Sequence, residues 1–166
     1  VQSHAALRYE KNDDNLFCNE PFKFIDHSRL TSSEGFTSSL VNSLLVSKDK
    51  LDKVNQALLN NGDQSAGNFL LAKDEGVKKI RNIILQRIES YRTKYANCDN
   101  KYIKNWPSKY ELYGWVVDIK TGGSLGAHMH KLGWISGSIY LKLSKPHDSS
   151  EGNIVFTLDG SQYPTN

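Results

Sequence analysis

The sequence predicts an α+β fold, helices first and an antiparallel β region after them, on three observations. Apolar residues recur at helical spacing as far as Tyr95, the dipeptide Trp106-Pro107 then forbids a continuing helix, and from Leu112 onward the apolar period drops to two. Helices followed by a run of strands pack on one face of a sheet or barrel. At 166 residues and 18.7 kDa the chain suffices for a single domain with a real core. Residues 1–111 would be a mainly helical support region and 112–166 the β region.

Taken in order, residues 1–20 are polar and rich in Asn and Asp around a short helical stretch, Ala5 to Tyr9. Pro21, Phe22, Phe24 and Ile25 read as a short strand or extended arm, with His27 after them as a loop or capping histidine. Phe36, Leu40, Val41, Leu44 and Leu45 give a first helix, for which Thr31, Ser32 or Ser33 could serve as cap. Ser47 would cap a second helix through Leu51, Val54 and Leu58, ending in the turn cluster Asn60-Asn61-Gly62-Asp63. Gln64 to Leu71 connects onward. The strongest helix runs from Asp74 to about Ala96, where Val77, Ile80, Ile84, Ile88, Tyr91 and Tyr95 make one apolar stripe. Lys78, Lys79, Arg81, Arg87 and Arg92 lie mostly off that stripe, on a solvated face.

Beyond the Lys94 to Tyr110 link, four stretches have strand composition: Leu112 to Ile119, Gly126 to His130, Ile135 to Leu143 and Asn153 to Leu158. A tight turn at Gly122-Gly123 and a long polar loop, Ser144 to Gly152, separate them.

The net charge is 21 minus 18, or +3, with acids and bases interleaved. Charge alone therefore gives no argument for nucleic acid. No apolar run has the length of a transmembrane helix, and the N-terminus lacks a charged-then-apolar signal pattern, so a cytoplasmic protein without a membrane partner is expected. Cys18 and Cys98 stand 80 residues apart with no short-spaced partner, which indicates unpaired thiols rather than a zinc motif or disulfide framework.

The candidate chemistry lies in the β region. On a strand, His128 and His130 would share a face one pleat repeat apart, ~6.6 to 6.8 Å. Neutral imidazole is the commonest ligand for mid-series transition metals, so the pair makes half of a first coordination shell, and its plain alternative is two surface histidines. Trp115 and Trp134 flank the pair, and Gly126 and Gly133 bracket it, as the lining of a small-molecule pocket would.

The run Gly114-Trp115, Gly122-Gly123, His128-x-His130, Gly133-Trp134-x-Ser136-Gly137, Tyr140-Leu141 and Gly152-x-Ile154-x-Phe156 resembles the first half of the catalytic barrel of Fe(II)- and 2-oxoglutarate-dependent oxygenases. The nearest likeness is to the bacterial and phage branch related to prolyl hydroxylases, which often follows tetratricopeptide repeats. It covers roughly residues 60 to 166.

The resemblance implies a double-stranded β-helix (jelly-roll, cupin-like) barrel behind the N-terminal helices, with 112–166 as its first half. It implies Fe(II) and 2-oxoglutarate as cofactors, and a protein side chain or small molecule as the substrate hydroxylated. His128 matches the first metal ligand. His130 stands where most of the superfamily has an aspartate, and either it ligates or it only lines the pocket while the metal takes a different third ligand. Tyr140, with Ser136 on the same face, would hold the distal carboxylate of the keto acid, and Trp134 and Trp115 would wall the substrate pocket.

The family also needs a distal histidine and a basic residue for the keto acid, expected on strands beyond Gly160. The chain is therefore expected to be part of a longer polypeptide, its barrel incomplete, with an upstream repeat module conceivable. A catalytically silent cupin-like binding module is the alternative of a different class. A metal-dependent dioxygenase that uses no keto acid is a third.

Overall fold

A computed structural model describes Cys18 and residues 20–130, 132–144 and 151–157. They fall into two compact units. One draws on Val1–Asp26, Asn97–Trp106 and Trp134–Asn166, and the other on His27–Ala96 and Pro107–Gly133. The architecture is α+β, with helices and one small antiparallel sheet. The expected Ala5 to Tyr9 helix, most of the Ser144 to Gly152 loop and Leu158 lie outside the described residues.

The second unit carries both long helices. Helix α1 spans Ser38–Lys48 and buries Leu40 and Leu44. Its cap is Thr37, whose hydroxyl accepts the Leu40 N–H at 3.2 Å, and not one of the three residues expected upstream. Thr31 instead opens a one-turn 3₁₀ helix, Ser32–Glu34, in a reciprocal capping arrangement with Glu34.

Helix α2 spans Glu75–Tyr95 and packs on α1. Asp74, expected as the first residue of this helix, is its cap and accepts the Gly76 N–H at 2.9 Å. Val77, Ile80 and Tyr91 of the expected stripe are buried, Ile84, Ile88 and Tyr95 only half-buried, and Ile83 is buried with them. The buried face is therefore centred slightly to one side of the stripe. Arg87 is half-buried rather than simply solvated: its guanidinium donates to the Ser28 hydroxyl at 3.2 Å and the Arg29 carbonyl at 3.1 Å, and pairs with Glu34. One side chain thus ties the 28–34 segment to the long helix.

The second helix expected from Ser47 to Asn61 does not form. Strand β1, Lys53–Val54, and strand β2, Leu59–Ser65, occupy that stretch and pair antiparallel, Lys53 with Ser65 and Val54 with Gln64. Asn, Gly and Asp are weak helix formers, so local propensity offers little resistance to a tertiary partner. That partner is β3, Val117–Leu125, which pairs antiparallel with β2 to give the order β1-β2-β3.

The β2–β3 register breaks in the middle. Asn60 pairs with Ser124 and Gly62 with Ile119, so one residue of β2 stands against four of β3. Asn61 takes up the distortion with φ of 47° and donates its amide to the Thr121 carbonyl at 2.9 Å. Gly122, at φ 73°, and Gly123 sit inside this bulge and not in the tight turn expected of them. A Cβ on Gly123 would lie 2.5 Å from the Asn61 carbonyl oxygen, so only glycine fits there without a backbone shift.

The first part of the Leu112 to Ile119 stretch runs beside β2 without being a strand. Asn68 donates to the Leu112 carbonyl at 2.8 Å and accepts from the Gly114 N–H at 3.0 Å, and the Ser65 hydroxyl accepts from the Val116 N–H at 3.0 Å. These side-chain bonds alternate with two backbone bonds, Ser65 N–H to the Val116 carbonyl at 2.9 Å and Phe69 N–H to the Gly114 carbonyl at 2.7 Å. The expected strands at Gly126 to His130, Ile135 to Leu143 and Asn153 to Leu158 form no ladder among the described residues. Strand composition alone does not make a strand, because the backbone groups need a neighbour to pair with.

In the first unit, Pro21–Phe24 forms a 3₁₀ turn rather than the expected strand or arm. Proline at its start already has the φ of a helical turn. Helix α3, Lys101–Lys104, is capped by Asn100, which accepts the Tyr102 N–H at 2.8 Å. The buried Tyr102 ring meets Phe24 edge-on at 5.5 Å, Trp106 at 5.9 Å and Trp134 in a stacked pose at 6.0 Å. Cys18 is buried in this unit, accepts from the Asn100 amide at 3.7 Å, and has its thiol pKa pushed up by burial. Among the described residues no helix is long and apolar enough to cross a membrane.

Candidate metal centre

His128 and His130 follow the end of the β2–β3 ladder. The last rung is the Gly126 N–H, which donates to the Leu58 carbonyl at 2.7 Å just beyond the paired strands. Past it the chain leaves the sheet, so the two histidines share a face by turning and not by pleat. Their rings nevertheless meet, with centroids 5.0 Å apart and planes at 86°.

That spacing can be tested against an ion. With metal–nitrogen bonds of ~2.1 Å, two in-plane imidazoles at roughly 90–110° about one ion have centroids roughly 4.6–5.3 Å apart. The observed 5.0 Å lies inside this window. A two-nitrogen donor set of this kind suits zinc, copper, nickel or iron.

The hydrogen bonding of the pair bears on which nitrogens face outward. His128 Nδ1 lies 2.9 Å from the Gly126 carbonyl oxygen, which can only accept, so Nδ1–H is the donor in this bond and Nε2 is the ring nitrogen left for another partner. His130 is held below the ordinary histidine pKa, first by desolvation and then by the charge of His128 beside it. The Trp115 indole, 5.2 Å from the His130 ring and tilted 46°, lies against this imidazole. Tyr113 extends the aromatic wall, its ring 5.9 Å from Trp115.

The structure therefore brings together His128, His130 and Trp115. No group of three or more His, Cys, Asp or Glu side chains able to hold a metal is formed among the described residues. The protein donors there are two. Trp134, Ser136 and Tyr140 belong to the other unit. Trp134 stacks on Tyr102, and Ser136 and Tyr140 are exposed on an irregular segment, so the period-2 argument that put both on one face does not apply to them. His27 is an exposed loop residue, and His147 lies outside the described residues.

Two contributors escape sequence reasoning. Tyr113 carries no motif, and Leu58 reaches the site only through a hydrogen bond spanning 68 residues of chain. The chain matches no protein-family model, no curated protein and no solved structure.

Proposed function

We propose that the protein is an Fe(II)- and 2-oxoglutarate-dependent dioxygenase that hydroxylates a protein side chain or a small molecule. The observation that carries the reading is the His128–His130 pair, with ring centroids 5.0 Å apart and His128 presenting Nε2. These two residues would hold the metal. When bound, iron and keto acid would let dioxygen act as the oxidant, one oxygen atom entering the substrate as the hydroxyl and the other entering succinate as 2-oxoglutarate loses CO2. The chain's own part would be to hold the two imidazoles in place, with the Trp115 ring against His130 and the Tyr113 ring beside Trp115.

Ser136 and Tyr140 are proposed to bind the keto-acid carboxylate, and Trp134 with Trp115 to wall the substrate pocket, on the strength of the family resemblance. The same resemblance supports a double-stranded β-helix as the finer architecture.

The test is turnover of 2-oxoglutarate to succinate in the presence of ferrous iron, with the His128→Ala variant as control. Succinate formed by the wild type and abolished in the variant supports the reading, and none formed by either counts against it. The presence of only two protein donors among the described residues favours, as a second reading, a catalytically silent cupin-like binding module. Metal and keto-acid binding without turnover would select it.

A further inference from the structure

We infer that Gln56 is a positioning residue for the metal pair, acting through a relay of three hydrogen bonds that sets the tautomer and direction of His128. This rests on the metal-binding reading of the pair. The relay begins in the turn before β2, where the Gln56 side-chain oxygen accepts the Leu58 N–H at 3.1 Å and the Gln56 carbonyl accepts the Leu59 N–H at 2.9 Å. Both bonds hold Leu58 at the end of the sheet. The Leu58 carbonyl then accepts the Gly126 N–H at 2.7 Å, and the Gly126 carbonyl accepts His128 Nδ1–H at 2.9 Å.

The consequence for His128 is geometric. An imidazole in water exchanges between two tautomers and turns about two bonds. A carbonyl fixed on one side selects the Nδ1–H form and aims Nε2 away from the sheet. The carbonyl is itself fixed only if Gly126 stays on its rung, because β3 ends at Leu125 and no further helix or strand follows among the described residues. The rung depends in turn on Leu58, which precedes the first paired residue of β2 and is held on that side by the Gln56 turn. Gln56 is half-buried and far from His128 in sequence, which suits a residue whose work is done through the backbone.

The relay predicts a spectroscopic signature independent of any metal. Long-range ¹H–¹⁵N spectra of the metal-free full chain at pH 8 should show His128 in the Nδ1–H tautomer. Gln56→Ala should keep the fold, judged by unchanged dispersion of the helix amides, yet return His128 to the mixture of tautomers found in water. Gln56→Glu, which keeps the acceptor oxygen, should restore the wild-type signature. Cobalt(II), used as probe metal, should bind Gln56→Ala about tenfold more weakly than wild type, the lower end of what loss of an outer hydrogen-bonding partner costs.

A wild-type His128 in the Nε2–H form, or a Gln56→Ala spectrum with unchanged His128 signals, would overturn the inference. If the tautomer responds as described and cobalt binds none of the proteins, the relay stands and the metal-binding reading fails.

Discussion

Placing a methyl group on Gly123 should disrupt the β2–β3 sheet at its bulge, a few residues before the histidine pair. The added Cβ would sit 2.5 Å from the Asn61 carbonyl oxygen, and 2.8 Å from both the Asn60 carbonyl oxygen and the Ile119 side chain. Two of these three are backbone atoms that cannot rotate away, so relief needs a backbone shift. Forced overpacking of this kind costs about 1–3 kcal/mol. In a chain of this size that corresponds to a melting temperature lower by about 4–8 °C for a 2 kcal/mol loss.

Gly122 provides the contrast. Nothing lies within 4 Å of a Cβ there, and the demand is its φ of 73°. Alanine at 122 should cost about 1–2 kcal/mol through left-handed strain, whereas asparagine, which tolerates that region, should cost less. At 123 asparagine should be as harmful as alanine. Gly137, with open space and no positive φ, should accept alanine within about 0.5 kcal/mol. Thermal unfolding followed by circular dichroism ranks the variants. A Gly123→Ala protein as stable as Gly137→Ala would refute the packing of the bulge.

Other expectations follow from the same structure. Leu44 is 1% exposed, and Leu44→Ala should cost about 3 kcal/mol, from three buried carbons at about 0.8 kcal/mol each plus a residual cavity. Val46→Ala, on the open side of the same helix, should be within about 0.5 kcal/mol of wild type in denaturant titration, and equal losses at the two sites would contradict the orientation of α1. The Glu34 carboxyl is held below the usual carboxylate range by the Thr31 hydroxyl, then the Thr31 N–H, with Arg87 adding to them. A carboxylate with a lowered folded pKa contributes stability above its unfolded pKa of about 4.3 and loses it as pH falls through the folded value. Glu34→Gln should therefore be less stable at neutral pH and lose stability less steeply on acidification. Parallel wild-type and variant curves of melting temperature against pH would exclude that role.

Local signals explain what the sequence reveals. Helix α2 was legible because its apolar stripe and the Asp74 cap lie within the segment itself. Helix α1 was legible in its body but not in its cap, since Thr31 and Thr37 are equally good capping residues and only the 3₁₀ turn at Ser32–Glu34 separates them. Strand β2 was not legible. Its residues, LNNGDQS, have no alternation of apolar and polar, and the pairing of Leu59 with Leu125 spans most of the β-forming chain. The apolar spacing of Leu51, Val54 and Leu58 satisfied a helical pattern that the tertiary partner overrode.

The histidine pair was legible as two neighbouring rings, which meet at 5.0 Å, though the strand expected to bring them together does not form among the described residues. The short spacing keeps the rings within reach, and the Gly126 carbonyl turns one of them. Of the two tryptophans expected to flank the pair, Trp115 lies against His130 while Trp134 stacks on Tyr102. The Gly122-Gly123 dipeptide announced a special backbone without saying which, because a tight turn and a bulge ask for the same residue.

Anaerobic titration of ferrous iron into the purified chain, with and without 2-oxoglutarate, tests the central claim most directly. The weak visible charge-transfer band of a metal-chelated keto acid should appear only when both are present, and His128→Ala should abolish it. No band and no iron binding by the wild-type chain would contradict the oxygenase reading.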